Sequence, residues 1–302
     1  MISREESSPK INNLEAYILD QAVEDIVIRP DHFFYFKNST WSESHSLNRD
    51  EGLSMKILRL SEEAAQINLG MTQPCADSVI RLGTDLEFRS HVVVAPMSQQ
   101  VFEITLRRIR KKCSFRIEDF FFNSRDAELL KEKFLKSESI LVAGATGCGK
   151  SSLISALLQL LPENERVLIL EDTPELPLPN GISTKLVART NHYKLRLGAE
   201  WNLEQIVVEA LRMRPSRIVL GECRSGEAKA VYQAQQTGHR GVLTSIHAGS
   251  ATEALQRFYE LAGFDDNTNK HQVWDCVVFM ENHAPNGRKV KQLLTELKCL
   301  PS

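Results

Sequence analysis

Long hydrophobic runs are missing from this 302-residue chain. No apolar stretch approaches the roughly 18 residues that a membrane-spanning helix needs, so an integral membrane protein of that kind is not expected. Cysteine is sparse, and its six positions (Cys75, Cys113, Cys148, Cys223, Cys276, Cys299) include no C-x-x-C pair, which excludes the usual zinc and redox motifs. The opening residues Met1 to Pro9 lack the apolar core of a secretory signal, so the thiols are expected to be free in a reducing cytosol. The eight histidines fall in no H-E-x-x-H or H-x-x-x-H spacing, and a catalytic metal held by protein ligands alone is not expected. Charge of one sign is lacking as well. The 37 basic and 39 acidic side chains leave a formal charge of −2, which argues against wholesale binding to nucleic acid or to an anionic membrane. Repeats and low-complexity tracts are absent. What remains is an ordinary globular composition, 42% hydrophobic and 25% charged, long enough for about two domains.

The pattern along the chain changes in the middle. Helical spacing is expected near Asn13–Val23, an aromatic strand at His32–Phe36 beside a hairpin turn at Asn38-Ser39-Thr40, and a helix over 51–70, where Leu53, Ile57, Leu60, Ala64 and Ile67 recur at three and four. Strand alternation then covers about 80–106, giving an α+β first portion. A basic run, Arg107 to Lys112, precedes the expected boundary. Downstream, buried strands at Ser139–Ala143, Arg166–Glu171, Arg217–Leu220 and Gly241–Ile246 alternate with helices at Lys150–Leu161, Leu203–Met213 and Ser225–Thr237. A hairpin of Val273–Met280 and Arg288–Glu296 closes the pattern across Pro285-Asn286-Gly287. The expected layout is an α+β N-terminal domain (1–112), a linker (113–125) and an α/β domain (126–302).

Four blocks carry chemistry. Gly144-Ala145-Thr146-Gly147-Cys148-Gly149-Lys150-Ser151 matches G-x-x-x-x-G-K-[ST] between a strand and a helix. Such a loop curls so that successive N–H groups, with the helix N-terminus, face phosphate oxygens. Lys150 is expected to reach the β- and γ-phosphates and Ser151 to ligate Mg²⁺. Cys148 fills a position where only backbone is needed, although the field of the helix end would favour its thiolate. The strand Val167–Leu170 ends in Glu171, Asp172 and Glu175, carboxylates that either organise Mg²⁺ through water or take a proton from an attacking water. A third apolar strand ends in Gly221-Glu222, an acid in the place of the second nucleotide-hydrolase motif or a plain charge at a helix start. A fourth ends in His247, a γ-phosphate contact or a structural histidine.

In this order the blocks resemble the secretion-ATPase superfamily, the hexameric motors of type II and type IV secretion, type IV pili and Tad/Flp pili. The likeness runs from about residue 80 to the C-terminus, and Leu211-Arg212-Met213-Arg214-Pro215 through Gly221 to Ala228 is similar to the Tad/Flp and type IV secretion branch in particular. The resemblance implies a RecA-like P-loop ATPase domain preceded by a smaller α+β N-terminal domain, and ATP with Mg²⁺ as cofactors. It implies a homohexamer in the cytoplasm, peripheral at the inner membrane through platform or secretion-channel proteins. Nucleotide contacts fall to Gly144, Ala145, Thr146, Gly147, Cys148, Gly149, Lys150, Ser151, Ser152 and Arg107. Glu175 becomes the general base and His247 the γ-phosphate sensor. Glu222, with Glu171 and Asp172, would hold Mg²⁺ through water beside Ser151, and Arg89 and Arg189 would be phosphate-side arginines. The family's glycine is replaced here by Met97-Ser98-Gln99-Gln100. Two alternatives stand beside a secretion motor. One is a nucleic-acid translocase on the same core, supported by the basic run alone. The other is a catalytically weak nucleotide-binding regulatory subunit.

Overall fold

A computed structural model describes residues 14–38, 40–45, 51–83, 86–109, 115–188, 201–264, 271–283 and 287–295. The chain divides into two compact units, Met1–Arg110 and Lys111–Ser302.

The first unit is an antiparallel sheet with helices. Its elements are α1 (Leu14–Leu19), β1 (Val23–Ile28), β2 (His32–Lys37), β3 (Thr40–His45), α2 (Glu51–Ala65), β4 (Cys75–Leu82), β5 (Leu86–Val94) and β6 (Phe102–Ile109). The strand order is β3-β2-β1-β6-β5-β4. Alternation predicts most of this: Phe88, Val92, Ile104 and Leu106 point into one core together with Ile57 of α2. The helix expected to reach Val23 stops at Leu19, and Val23 instead opens β1. Val23, Ile26 and Ile28 are buried there, a spacing that a helix and a strand share over so short a run.

The second unit is a seven-stranded mixed sheet between helical layers. After a short 3-10 turn at Ile117–Phe120 come α3 (Ser124–Leu135), β7 (Ile140–Gly144), α4 (Lys150–Leu158), β8 (Val167–Glu171) and β9 (Thr184–Val187). Then follow α5 (Leu203–Leu211), β10 (Arg217–Leu220), α6 (Glu227–Gln236), β11 (Leu243–Ile246), α7 (Ala251–Leu261), β12 (Cys276–His283) and β13 (Gly287–Leu294). The order is β13-β12-β7-β11-β10-β8-β9, with every neighbouring pair parallel except β12 with β13. The fold is thus α/β with a smaller α+β N-terminal portion, as expected from the patterning. β7, β8, β10 and β11 are buried at every position, which is why they read as mostly apolar runs, although β10 opens on the buried Arg217 and β11 buries Thr244 and Ser245.

Three elements of the second unit lie outside the expected pattern: α3, β9 and α7. Helix α7 starts at Ser250, whose side chain accepts from Glu253 N–H, and buries Ala251, Ala254, Leu255, Phe258 and Tyr259 on one face. Residues 115–123, expected as linker, send Ile117, Phe120 and Phe121 into the core of the second unit. The turn at 284–286 falls outside the described residues.

One buried cation staples the N-terminal edge of this sheet. Arg217, first residue of β10, has a fully buried side chain. Its Nε donates to Glu165 Oε1 at 2.7 Å, and its Nη2 donates to Phe134 O at 3.0 Å and Ser137 Oγ at 3.1 Å. The guanidinium carbon lies 4.2 Å from the centre of the Phe134 ring. The end of α3, the approach to β8 and the start of β10 are therefore joined through one side chain. Arg217→Ala leaves Glu165 without its cation, and is expected to cost about 3 kcal/mol of unfolding free energy in a urea titration. A loss below about 1 kcal/mol would show the staple to be dispensable.

Candidate functional site

Parallel pairing brings the C-terminal ends of β7, β11, β10 and β8 to one edge. The registers Ile246 with Ala143, Leu220 with Thr244 and Leu220 with Leu170 place those ends level with one another. Open α/β sheets bind ligands at this edge, and all four sequence blocks begin here.

The loop after β7 is built by backbone conformation. Gly144, Gly147 and Gly149 have φ of 149°, 76° and 99°, and Gly149 caps the N-terminus of α4 in the left-handed region. Ala145, Thr146, Gly147 and Ser151 are exposed, Gly149 and Ser152 are half-buried, and Cys148 is buried. The Lys150 ammonium is turned back onto this loop. It donates to Gly144 O and Ala145 O, both at 2.9 Å, and stands 3.1 Å from His247 Nδ1. An ammonium has only protons to offer, so Nδ1 accepts and the neutral ring carries its proton on Nε2. All three protons of Lys150 are thereby placed, although the residue is only 7% exposed. Burial holds the Lys150 pKa below its ordinary value. Burial and then the Lys150 charge do the same to His247, against the pull of Glu222 and the Gly144 carbonyl.

Glu222 follows β10 and faces the other side of that ring. Its Oε1 lies 3.0 Å from His247 Nε2, an ion-pair distance without hydrogen-bond alignment, and this buried oxygen has no hydrogen-bond partner. Its Oε2 accepts from Arg224 Nη2 at 2.6 Å. Burial alone would raise the Glu222 carboxyl, but the Arg224 hydrogen bond and charge, with His247 and Lys150, bring it below the usual range. The result is an ionised carboxylate with an unfilled acceptor beside the phosphate loop. That donor set fits a Mg²⁺-bound water together with the exposed Ser151 hydroxyl. Among the described residues no group of three His, Cys, Asp or Glu stands ready to hold a metal unaided. A cation here would draw on phosphate oxygens as well.

Sequence reasoning missed what fixes Arg224. Glu227, buried at the start of α6, accepts from the N–H groups of Arg224 and Ser225 and from Ser225 Oγ. The spacing of an acid at the first position of a helix is the signal that marks such a clamp. Asp172 is exposed and Glu175 half-buried on the loop after β8. Glu171 is 3% exposed; its Oε1 accepts from Glu175 N–H and Leu176 N–H, while its buried Oε2 makes no hydrogen bond, and burial pushes the carboxyl above its ordinary range against the pull of Lys185 and the two amides.

The arginines divide differently. Arg89 and Arg107 are cross-strand partners on β5 and β6, with Asp25 of β1 in register on the other side of Arg107. Arg107 Nε donates to Asp25 Oδ1 at 2.7 Å. Arg108 donates to the carbonyls of Ile18, Asp20 and Val23 and lies over the Phe88 ring. Arg189 lies outside the described residues, as do Arg110, Lys111 and Lys112.

Residues 76–275 match the family described as Type II/IV secretion system protein. A Mycobacterium tuberculosis (strain ATCC 25618 / H37Rv) protein named for conjugal transfer is 28% identical over 288 residues, covering 93% of this chain and 81% of its own. The type IV secretion system protein PtlH of Bordetella pertussis is 41% identical over 169 residues, covering 50% of this chain and 48% of its own. Among solved structures, the pilus retraction motor PilT superposes with a TM-score of 0.64 at 16% identity, over 96% of this chain and 84% of its own. The Legionella pneumophila ATPase DotB does so with a TM-score of 0.61 at 19% identity, over 91% and 76%. With a match over well over half its length, on a fold shared with those two solved proteins, the chain belongs to the type II/IV secretion system protein family.

Proposed function

We propose that the chain is an ATP-hydrolysing motor subunit that powers protein secretion or pilus assembly across the bacterial envelope. The observation that supports this most is the cluster of Lys150, His247 and Glu222, three chemically distinct groups delivered by three parallel strands to one phosphate loop. In this reading ATP phosphates take the N–H groups of Gly144 to Ser152 and replace the Gly144 and Ala145 carbonyls as acceptors for Lys150. Losing Lys150 as a hydrogen-bond partner frees His247 Nδ1 to take up a proton and donate it in a hydrogen bond to a γ-phosphate oxygen. Glu175 orients and deprotonates the attacking water. Ser151, and Glu222 and Asp172 through water, would hold Mg²⁺, which would supply charge neutralisation at the phosphates. Arg89, Arg107 and Arg189 remain the proposed phosphate-side arginines.

The motor is proposed to act as a homohexamer in the cytoplasm, peripheral at the inner membrane through platform or secretion-channel proteins. No helix among the described residues is long and apolar enough to cross a membrane. Relatives named for type IV secretion and conjugal transfer incline the reading toward type IV secretion, with Tad/Flp pilus assembly next. A nucleic-acid translocase is disfavoured because Arg107 and Arg108, two members of the basic run, are engaged within the protein itself.

Lys150→Ala and Glu222→Ala are expected to keep a native circular-dichroism spectrum while steady-state phosphate release falls at least about 100-fold, the scale of a lost charge-stabilising group. Undiminished turnover in both variants would overturn the reading. Glu175→Gln is expected to slow turnover by about 100- to 10,000-fold while fluorescent ATP still binds, because it removes a proton acceptor and no phosphate contact. For the ring, turnover per subunit is expected to rise with protein concentration through the assembly range seen by analytical ultracentrifugation. A flat rate there would argue against shared sites.

A further inference from the structure

Glu171 ends β8 at the functional edge, yet its side chain bends toward the loop that follows it. Oε1 accepts from Glu175 N–H and Leu176 N–H, both at 2.9 Å, so two successive amides form a small anion cradle around a carboxylate of the same chain. Oε2 lies 3.3 Å from Lys185 Nζ on the neighbouring strand β9. Lys185 Nζ in turn donates to Leu176 O. The Leu176 backbone is thus held from both sides, and its side chain is 2% exposed in the core below. Glu175, next in the chain, is tied through its own amide.

A third residue leaves the room for this arrangement. A Cβ placed on Gly221 would stand 3.0 Å from Glu171 Cγ and 3.6 Å from Leu170 O. The glycine before Glu222 therefore lets the Glu171 side chain pass beside β10. The motif pair Gly221-Glu222 serves two loops, with its glycine making space for one and its glutamate facing the other.

We infer that Glu171, together with Lys185 and Gly221, is a positioning residue that sets where the Glu175 carboxylate stands, and is not part of the Mg²⁺ coordination sphere. The inference rests on the proposed role of Glu175. One Glu171 oxygen is taken by two amides, and the other, buried without a hydrogen bond, lies 3.3 Å from the Lys185 ammonium, a fixed positive charge that repels a hydrated cation. Displacing a proton acceptor by about 1 Å is enough to slow a reaction about 100-fold.

The test compares Glu171→Ala, Glu171→Gln and Lys185→Met with the wild-type chain, alone and combined with Glu175→Gln. Glu171→Ala is expected to lower kcat about 10- to 100-fold. The affinity for fluorescent ATP and the Mg²⁺ concentration for half-maximal turnover should stay within about two-fold of wild type. In the Glu175→Gln background the same change should add no further loss, since the group being positioned is already gone. Glu171→Gln, which keeps an oxygen for both amides, should recover part of kcat. Hydrogen exchange across 172–176 in nucleotide-free protein should speed up in Glu171→Ala and in Lys185→Met. A raised Mg²⁺ requirement, or full additivity with Glu175→Gln, would overturn the inference. If wild-type protein releases no phosphate at all, the proposed function fails, and amide exchange alone decides whether Glu171 holds the loop. Unchanged exchange in Lys185→Met, should Glu171→Ala not fold, would likewise reject it.

Discussion

A nearly buried ammonium must place its three protons, and Lys150 does so on Gly144 O, Ala145 O and His247 Nδ1. The rest of the site depends on this. The two carbonyls belong to the loop that the glycines curl, so the lysine holds its own phosphate cradle in shape without phosphate. The third acceptor belongs to β11, which makes the state of the cradle known to a neighbouring strand. Leaving any of these protons unplaced would carry the desolvation cost of a buried charge. A phosphate oxygen can therefore enter only by exchange for acceptors already there.

The exchange has an electrostatic consequence on β10. Lys150, His247, Glu222 and Arg224 form a line of alternating character, cation, neutral ring, anion, cation, and each member shifts its neighbour. Glu222 stays ionised although half-buried because positive charge flanks it on both sides. Arg224 is the part of this line that is not anchored by the phosphate loop, and Glu227 supplies its anchor by binding the backbone amides of Arg224 and Ser225. An acid that never faces the phosphate thus sets the counter-charge of one that does.

The phosphate loop was legible because its geometry is local: glycine spacing, an entering apolar strand and a leaving helix are all written within a dozen residues. The four buried parallel strands were legible for the same reason, as short, mostly apolar runs. Helix α7 carries an equally local signal, Ser250 and Glu253 before apolar residues at three and four, and was hidden behind the block that carries His247. Strand β9 offers little to read, since its residues are half-buried at the sheet edge and only pairing with β8 makes them a strand. The role of Glu171 lay beyond the sequence altogether. Three acids in five residues look alike until tertiary contacts with Lys185 and Gly221 separate the one that is spent from the others.

That separation follows from a general asymmetry among carboxylates at one sheet edge. A strand-end acid that is deeply buried must be satisfied by the protein itself, and a satisfied acid has no capacity for a ligand. Glu171 and Glu227 are both 3% exposed, and each gives one oxygen to two backbone amides; the other Glu227 oxygen accepts from Ser225 Oγ, and the other Glu171 oxygen lies beside Lys185. Glu222 is less deeply buried and turns its unpartnered oxygen to His247; Glu175 is half-buried and Asp172 exposed. The site thus divides its acids by depth. The two deepest shape the loops, and the shallower ones are left to meet the histidine, the phosphate loop and solvent. Proximity to the P-loop in sequence order does not sort them this way, because depth is a property of the sheet and not of the chain.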